Sequence, residues 1–169
     1  MTDRANRPLL FLDVDGPLLP FGGNKSHELS DAAADAHLSR LDRSVGLRLA
    51  ALPCDLVWAT AWEDEANIEI APRIGLPQLP VVNWPASSDE RERVDDWLGL
   101  HWKTRTLVEW AAGRPFAWVD DEITRADQIW VSANHPSQAL LHHVDSSRGL
   151  GDKDFTALHE WLRATGTTS

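Results

Sequence analysis

Two aspartates, Asp13 and Asp15, close the run LLFLDVD at residues 9–15, and Gly16 follows them. On an extended chain, positions two apart share a face, so the two carboxylates point the same way. Like charges that close repel, and burying either one unpaired is costly. A cation between them, or a strand that ends in water, resolves the conflict. A second acidic group, Asp120, Asp121 and Glu122, closes the apolar run FAWV at 116–119. A third apolar run, CDLVWA at 54–59, ends in Thr60. Mg2+ suits carboxylates that converge from separate segments, since it typically takes one or two of them with waters and a phosphate oxygen. A carboxylate beside such an ion can attack a phosphoryl group. The leaving oxygen then needs a proton, which a second carboxyl can give before it activates water. Charge on the transferred group calls for a hydroxyl, backbone N–H groups and a lysine. The chain offers Asp13 as nucleophile, Asp15 as acid and base, Thr60 as hydroxyl and Lys103 as cation, with Arg105 the nearest rival to Lys103. Asp13, Asp15, Asp120 and Asp121 are the candidate metal ligands, Asp120 directly and Asp121 directly or through water.

These residues need elements to hold them. Residues 8–14, 54–59, 116–119 and 140–144 read as short buried strands, because their apolar runs lack a helical period. Residues 79–83 form a short strand candidate, placed at an edge by Pro80. Helical spacing marks 44–52, 63–74, 102–112 and 154–164, with Pro53 ending the first and Gly113 closing the third. Residues 85–99 read as a solvated loop and helix. The Pro- and Gly-rich stretch from Pro17 reads as an irregular loop, and residues 17–24 are a candidate flap. Strands alternating with helices imply a three-layer, doubly wound, mostly parallel α/β sheet. Ligands of such sheets bind outside the carboxyl ends of the strands, where the polar groups above collect. Trp62 and Asn67 follow the second strand and are candidate pocket residues, with Gly16 and Ala61 beside them as further substrate-binding positions.

The ordered set DVDG, VWAT, Lys103 and WVDD resembles the haloacid dehalogenase (HAD) superfamily of phosphohydrolases. WATAWEDEAN (58–67), HWKTRTLVEWAAGRPFAWVDDE (101–122) and VDSSRGL (144–150) are similar to the small bacterial HAD domains also found in Swiss Army Knife RNA repair proteins. The resemblance implies a HAD-like Rossmannoid fold, an aspartyl-phosphate on Asp13, and Mg2+ held by the acidic residues. It also implies that Asp15 gives the metal its backbone carbonyl and its side chain to proton transfer. Pro17 departs from the Thr or Val usual after the glycine, fixing φ and removing an N–H. The intervals Asp15–Thr60 and Thr60–Lys103 leave no room for a large cap domain, an arrangement that goes with large or exposed phosphorylated substrates.

Length suits one domain over residues 1–169. A net charge of -10 argues against a protein whose main task is to grip phosphate backbones. Nucleic-acid ends nonetheless stay among the possible substrates, as the resemblance to RNA repair proteins implies. One cysteine, Cys54, allows no intrachain disulfide. No stretch approaches the roughly 20 apolar residues of a membrane span, so a cytoplasmic protein is expected. Oligomeric state and substrate class stay open. Two rival readings differ in order and in turnover. A signalling receiver domain would carry its lysine after both acidic groups, whereas Lys103 precedes Asp120. A non-catalytic metal- or phosphate-binding module would keep the fold without turnover. A dinucleotide-binding domain is disfavoured, because no G-x-G-x-x-G follows the first strand.

Overall fold

The computed structural model describes residues 7–21 and 37–166. Four strands, β1 (Leu9–Leu12), β2 (Asp55–Trp58), β3 (Phe116–Asp120) and β4 (Ala139–His143), form one parallel sheet in the order β2-β1-β3-β4. The helices are α1 (Arg43–Ala50), α2 (Ala71–Ile74, entered through a π-helical turn at Ala66–Ile70), α3 (Asp89–Leu98), α4 (Thr104–Ala111), α5 (Arg125–Asn134) and α6 (Asp152–Gly166). The fold is α/β, a parallel sheet with helices on both faces, and among the described residues there is no large cap domain. Among the described residues no helix is long and apolar enough to cross a membrane.

Alternation along each strand sorts the core into two layers. Leu10, Leu12 and Val14 pack with Leu49 of α1, Ile74 of α2 and Leu158 of α6. Leu9, Phe11, Phe116 and Trp118 pack on the other face with Leu107 of α4 and Val131 of α5. Burial on both faces is why β1 reads as a continuous apolar run rather than an alternating one. It also fixes which face each strand-end residue serves. Asp13 continues the series of Leu9 and Phe11, and Asp120 that of Phe116 and Trp118. Both carboxylates therefore emerge on the face covered by α4, whose N-terminal side carries Lys103.

Register brings the ends level. Leu12 pairs with Trp58 on one side and Val119 on the other. The Asp13 N–H donates to the Val119 carbonyl at 3.1 Å, and the Ala59 N–H to the Leu12 carbonyl at 2.9 Å. The expected edge strand at 79–83 is reduced to a parallel bridge between Val81 and Trp58. The helix expected over 63–74 begins later and opens as a π turn.

One helix, α5, was not expected from the sequence. Its N-terminus is a capping box in which Thr124 and Asp127 bond reciprocally. Asp127 is fully buried. Its Oδ1 also accepts from the Thr104 hydroxyl at 2.7 Å and the His101 N–H at 2.8 Å. Asp127 thus pins the 101–104 segment from both sides of Lys103.

Candidate active site

The site forms where β1, β2 and β3 end. Lys103 sits one residue ahead of α4 and is only 3% exposed. Its ammonium donates to the Ala59 carbonyl at 2.9 Å and Asp120 Oδ2 at 2.8 Å, and lies 3.1 Å from Asp13 Oδ1. Three donors meet three acceptors, so the buried charge is both paired and hydrogen-bonded. Asp120 Oδ1 accepts from the Glu122 N–H at 3.0 Å, and Trp118 Nε1 donates to Oδ2 at 3.3 Å. One carboxylate oxygen from each of Asp13, Asp120 and Asp121 lies within 4.8 Å of the others. An all-oxygen set of this size is the donor chemistry of a hard cation such as Mg2+.

The two buried carboxylates differ electrostatically. Burial pushes the Asp13 carboxyl well above its usual range, and the pull of Lys103 does not overcome burial together with repulsion from Asp120. Burial also raises Asp120, but Lys103 and the Glu122 N–H outweigh it and hold Asp120 below the usual value. Burial lowers Lys103, yet Asp13 and Asp120 more than compensate and keep it charged. Asp13 is the strained member of the cluster and Asp120 the settled one.

Asp15 faces a different neighbour. Trp62 Nε1 donates to Asp15 Oδ2 at 3.1 Å. The Asp15 carboxylate is not among the three converging groups. Thr60 is buried, and its hydroxyl oxygen accepts from the Trp62 N–H at 3.2 Å. A hydroxyl that accepts there still carries a hydrogen to donate. Ala61 is exposed in the turn beside Thr60.

Three expectations change. Arg105, the rival to Lys103, is turned away and paired with Asp95. Asn67, expected at the substrate, is a brace. Its amide oxygen accepts from Trp58 Nε1 at 2.8 Å and the Leu79 N–H at 2.9 Å, and its NH2 donates to the Leu79 carbonyl at 2.8 Å. The buried Trp58 indole needs a partner, and the π turn rotates Asn67 to supply it. The Gly16 N–H is engaged by the Leu19 carbonyl at 3.0 Å, so the part of Gly16 in the site is steric.

Gly16 has φ +104, and a Cβ there would fall 2.7 Å from Asp121 Cγ. Gly16→Ala therefore combines a left-handed backbone, worth at least ~1–2 kcal/mol in an L-residue, with displacement of a metal-ligand candidate. We expect a Tm several degrees lower and a weaker Tm increase on adding Mg2+, both measured by thermal unfolding. Next in the chain, Pro17 is accommodated because the turn uses the N–H groups of Gly16, Leu18 and Leu19. The Pro17 carbonyl accepts from the Leu150 N–H at 2.9 Å, and the Phe21 N–H donates to Ser146 at 2.7 Å. Residues 17–21 of the expected flap are thus clamped by the 145–150 turn, while 22–24 lie outside the described residues. Gly149 (φ +73) permits the clamp, since a Cβ there would meet Pro20 Cγ at 2.8 Å and the Pro17 carbonyl at 2.9 Å.

Beside the cluster opens a cleft of about 620 Å³ between α3 and the 84–87 and 100–106 segments. Trp84 Nε1 donates to the Thr60 carbonyl at 3.0 Å, which ties the cleft wall to the end of β2. His101 Nε2 lies 2.7 Å from Glu122 Oε2. Sequence reasoning missed Trp84, His101, Trp102, Glu122 and Asp127 as site residues. Glu122 was visible only as a member of the acidic group after β3, and Asp127 only through the Thr-x-x-Asp spacing of a helix start.

No curated protein and no solved structure matches the chain. A family model described as the HAD domain in Swiss Army Knife RNA repair proteins matches residues 9–155. The match covers all four strands and every residue of the buried cluster. The chain belongs to this family of HAD domains, within the HAD superfamily of hydrolases.

Proposed function

We propose that the protein is a Mg2+-dependent phosphomonoesterase that works through an aspartyl-phosphate on Asp13. The observation that carries this reading is the buried Asp13 carboxylate, held by Lys103 beside Asp120 and Asp121. Family membership supports a phosphatase-type hydrolase in general. Asp13, Asp120 and Asp121 would hold Mg2+, with the Asp15 carbonyl, and the ion would offset charge on the transferring phosphoryl group.

One Asp13 oxygen attacks phosphorus, and the bond from phosphorus to the leaving oxygen breaks. Asp15 gives its proton to that oxygen, and the alcohol departs. Asp15, now a carboxylate, takes a proton from water as the water oxygen attacks the phosphorus of the aspartyl-phosphate. Inorganic phosphate leaves and Asp13 is restored. Lys103 neutralises Asp13 before attack and the phosphoryl oxygens during it. The Thr60 hydroxyl donates to one of those oxygens.

The test is hydrolysis of p-nitrophenyl phosphate. Turnover with Mg2+ that disappears on chelation and returns on adding the metal is expected. Mg2+ binding with no turnover of p-nitrophenyl phosphate, acetyl phosphate or nucleotides would replace this reading with a non-catalytic binding module. A second reading, a phosphatase of nucleic-acid ends, is favoured by the family's occurrence in RNA repair proteins. A 3′- or 5′-phosphorylated oligonucleotide as the best substrate would establish it.

The bond from Trp62 to Asp15 gives a narrower prediction. Trp62→Phe keeps a ring and removes only the N–H. A hydrogen bond to a charged group is worth about 1.5–3 kcal/mol, so kcat is expected to fall roughly tenfold or more. The loss should be greater for an alkyl phosphate, whose leaving oxygen needs a proton, than for p-nitrophenyl phosphate. Equal losses would place Trp62 outside proton transfer.

A further inference from the structure

We infer that Trp102, backed by Trp84, is the specificity platform of this site, and that it selects singly phosphorylated substrates whose leaving group carries a planar aromatic ring, nucleoside monophosphates above all. The inference rests on the phosphomonoesterase reading and deepens it.

Three observations converge. First, the two indoles pack edge to face at the cleft, with centroids 4.8 Å apart and planes at 76°. Trp84 is anchored through Nε1 to the Thr60 carbonyl, so Trp102 rests on a fixed partner. Trp102 is nonetheless 51% exposed. His101 also leans on this ring, with centroids 5.4 Å apart and planes at 32°, and a large ring held by two neighbours yet half exposed offers a stacking surface to the face of a base.

Second, the platform is next to the reacting group. The Lys103 ammonium lies 5.4 Å from the Trp102 ring centroid and 6.0 Å from that of Trp84. The same ammonium touches Asp13. Lys103 thus links Asp13 to the indoles, and the leaving group of a substrate bound at Asp13 meets them if it extends toward the cleft side of Lys103. The cleft, at about 620 Å³, is within the range of small-molecule sites.

Third, charge along the cleft discriminates against polyanions. Glu92, Asp95, Asp96 and Glu122 outnumber Arg91 and Arg105 in its lining. Arg91 is paired with Glu109, Arg105 with Asp95, and Glu122 lies against His101, which leaves Glu92 and Asp96 as the carboxylates that set the sign of the wall. A base and ribose carry no charge into this wall. A second phosphate or an oligonucleotide backbone would meet carboxylates, against the usual requirement for clustered Lys and Arg.

The experiment compares kcat/KM with Mg2+ for a nucleoside 5′-monophosphate, ribose 5-phosphate, the matching nucleoside triphosphate and a 5′-phosphorylated oligonucleotide. The monophosphate should exceed ribose 5-phosphate by about 10- to 100-fold, the range of one base–aromatic stack. That ratio should collapse in Trp102→Leu, which stays apolar but not planar, and persist in Trp102→Phe. Triphosphate and oligonucleotide should be the poorer substrates. A monophosphate-to-ribose ratio near one, an unchanged ratio in Trp102→Leu, or preference for the oligonucleotide would overturn the inference while leaving the phosphatase reading intact. Absence of turnover with every phosphoester and with acetyl phosphate would sink the phosphatase reading instead. The stacking platform alone is then decided by calorimetry on the wild-type protein with Mg2+. Monophosphate binding at least tenfold tighter than ribose 5-phosphate, lost with Trp102→Leu, sustains it, and equal affinities overturn it.

Discussion

Asp13→Asn is expected to abolish turnover, by at least about a thousandfold, and yet to raise the melting temperature of the metal-free protein. Loss of activity follows because an amide cannot form the acyl phosphate, and removing a covalent nucleophile commonly costs several powers of ten. The gain in stability follows from the environment of Asp13. Burial first, and Asp120 second, lift its carboxyl well above the unfolded value despite Lys103. A raised acid is stabilised by the fold only when protonated. Its favourable contribution is complete below the unfolded value of about 3.9 and is lost as pH rises through the folded one. At pH values above the unfolded one the fold therefore bears the cost of burying this acid, and a neutral isostere removes it. Replacing a strained functional residue commonly gains ~0.5–2 kcal/mol, a few degrees in a chain of this length.

Asp120→Asn supplies the contrast. Its carboxyl is held below the ordinary value because Lys103 and the Glu122 N–H outweigh burial. Its contribution is present above the unfolded value and is lost as pH falls through the folded one, so the amide should lower Tm at neutral pH. Thermal unfolding with chelator at pH 7 checks both. A fall in Tm for Asp13→Asn as large as that for Asp120→Asn would mean that Lys103 treats the two acids alike.

How much of this was legible in the sequence depends on what each feature buries. Strands covered on both faces leave unbroken apolar runs, so β1, β2 and β3 and their polar ends were visible. Asp13, Thr60, Lys103 and Asp120 were found because each borders such a run or falls between two of them in order. The helix α5 buries only Asp127 and Val131, too few positions for a periodic signal. Asn67 looked like a pocket residue because it follows Trp62. The π turn at Ala66–Ile70 breaks the 3.6-residue phase and turns Asn67 to the Trp58 indole instead. The cleft was out of reach. Its aromatic floor joins residues 84 and 102, and its far wall, α3, has no buried side chain at all. Nothing in apolar patterning foretells which surface such a helix will line.

Lys103→Met carries the second large effect, on stability and activity together. The ammonium reaches both Asp13 and Asp120, and it is itself buried. Methionine matches the stem and leaves the acids with a lost counter-charge. Breaking a buried ion pair from one side typically costs about 3–5 kcal/mol, which lowers Tm on the order of 10 °C in a chain of this length. The pH dependence has a definite sign. Asp13 and Asp120 raise Lys103 beyond what burial takes away, so its contribution is complete below about 10.4 and is lost only as pH rises through the folded value. The charge on Lys103 is thus intact from pH 5 to 9. In the variant Asp13 can take a proton as pH falls, which relieves its repulsion with Asp120, so the deficit in Tm should shrink from pH 8 towards pH 5. Mg2+ should narrow it as well, because a divalent cation among three carboxylates replaces the missing charge. Activity should still fall by at least about a hundredfold, since the transferring phosphoryl group loses a preorganised donor. Melting curves at pH 5 and 8, with Mg2+ and with chelator, test each part. A deficit indifferent to both pH and metal would make Lys103 a packing residue, and the carboxylates would then need another source of neutralisation.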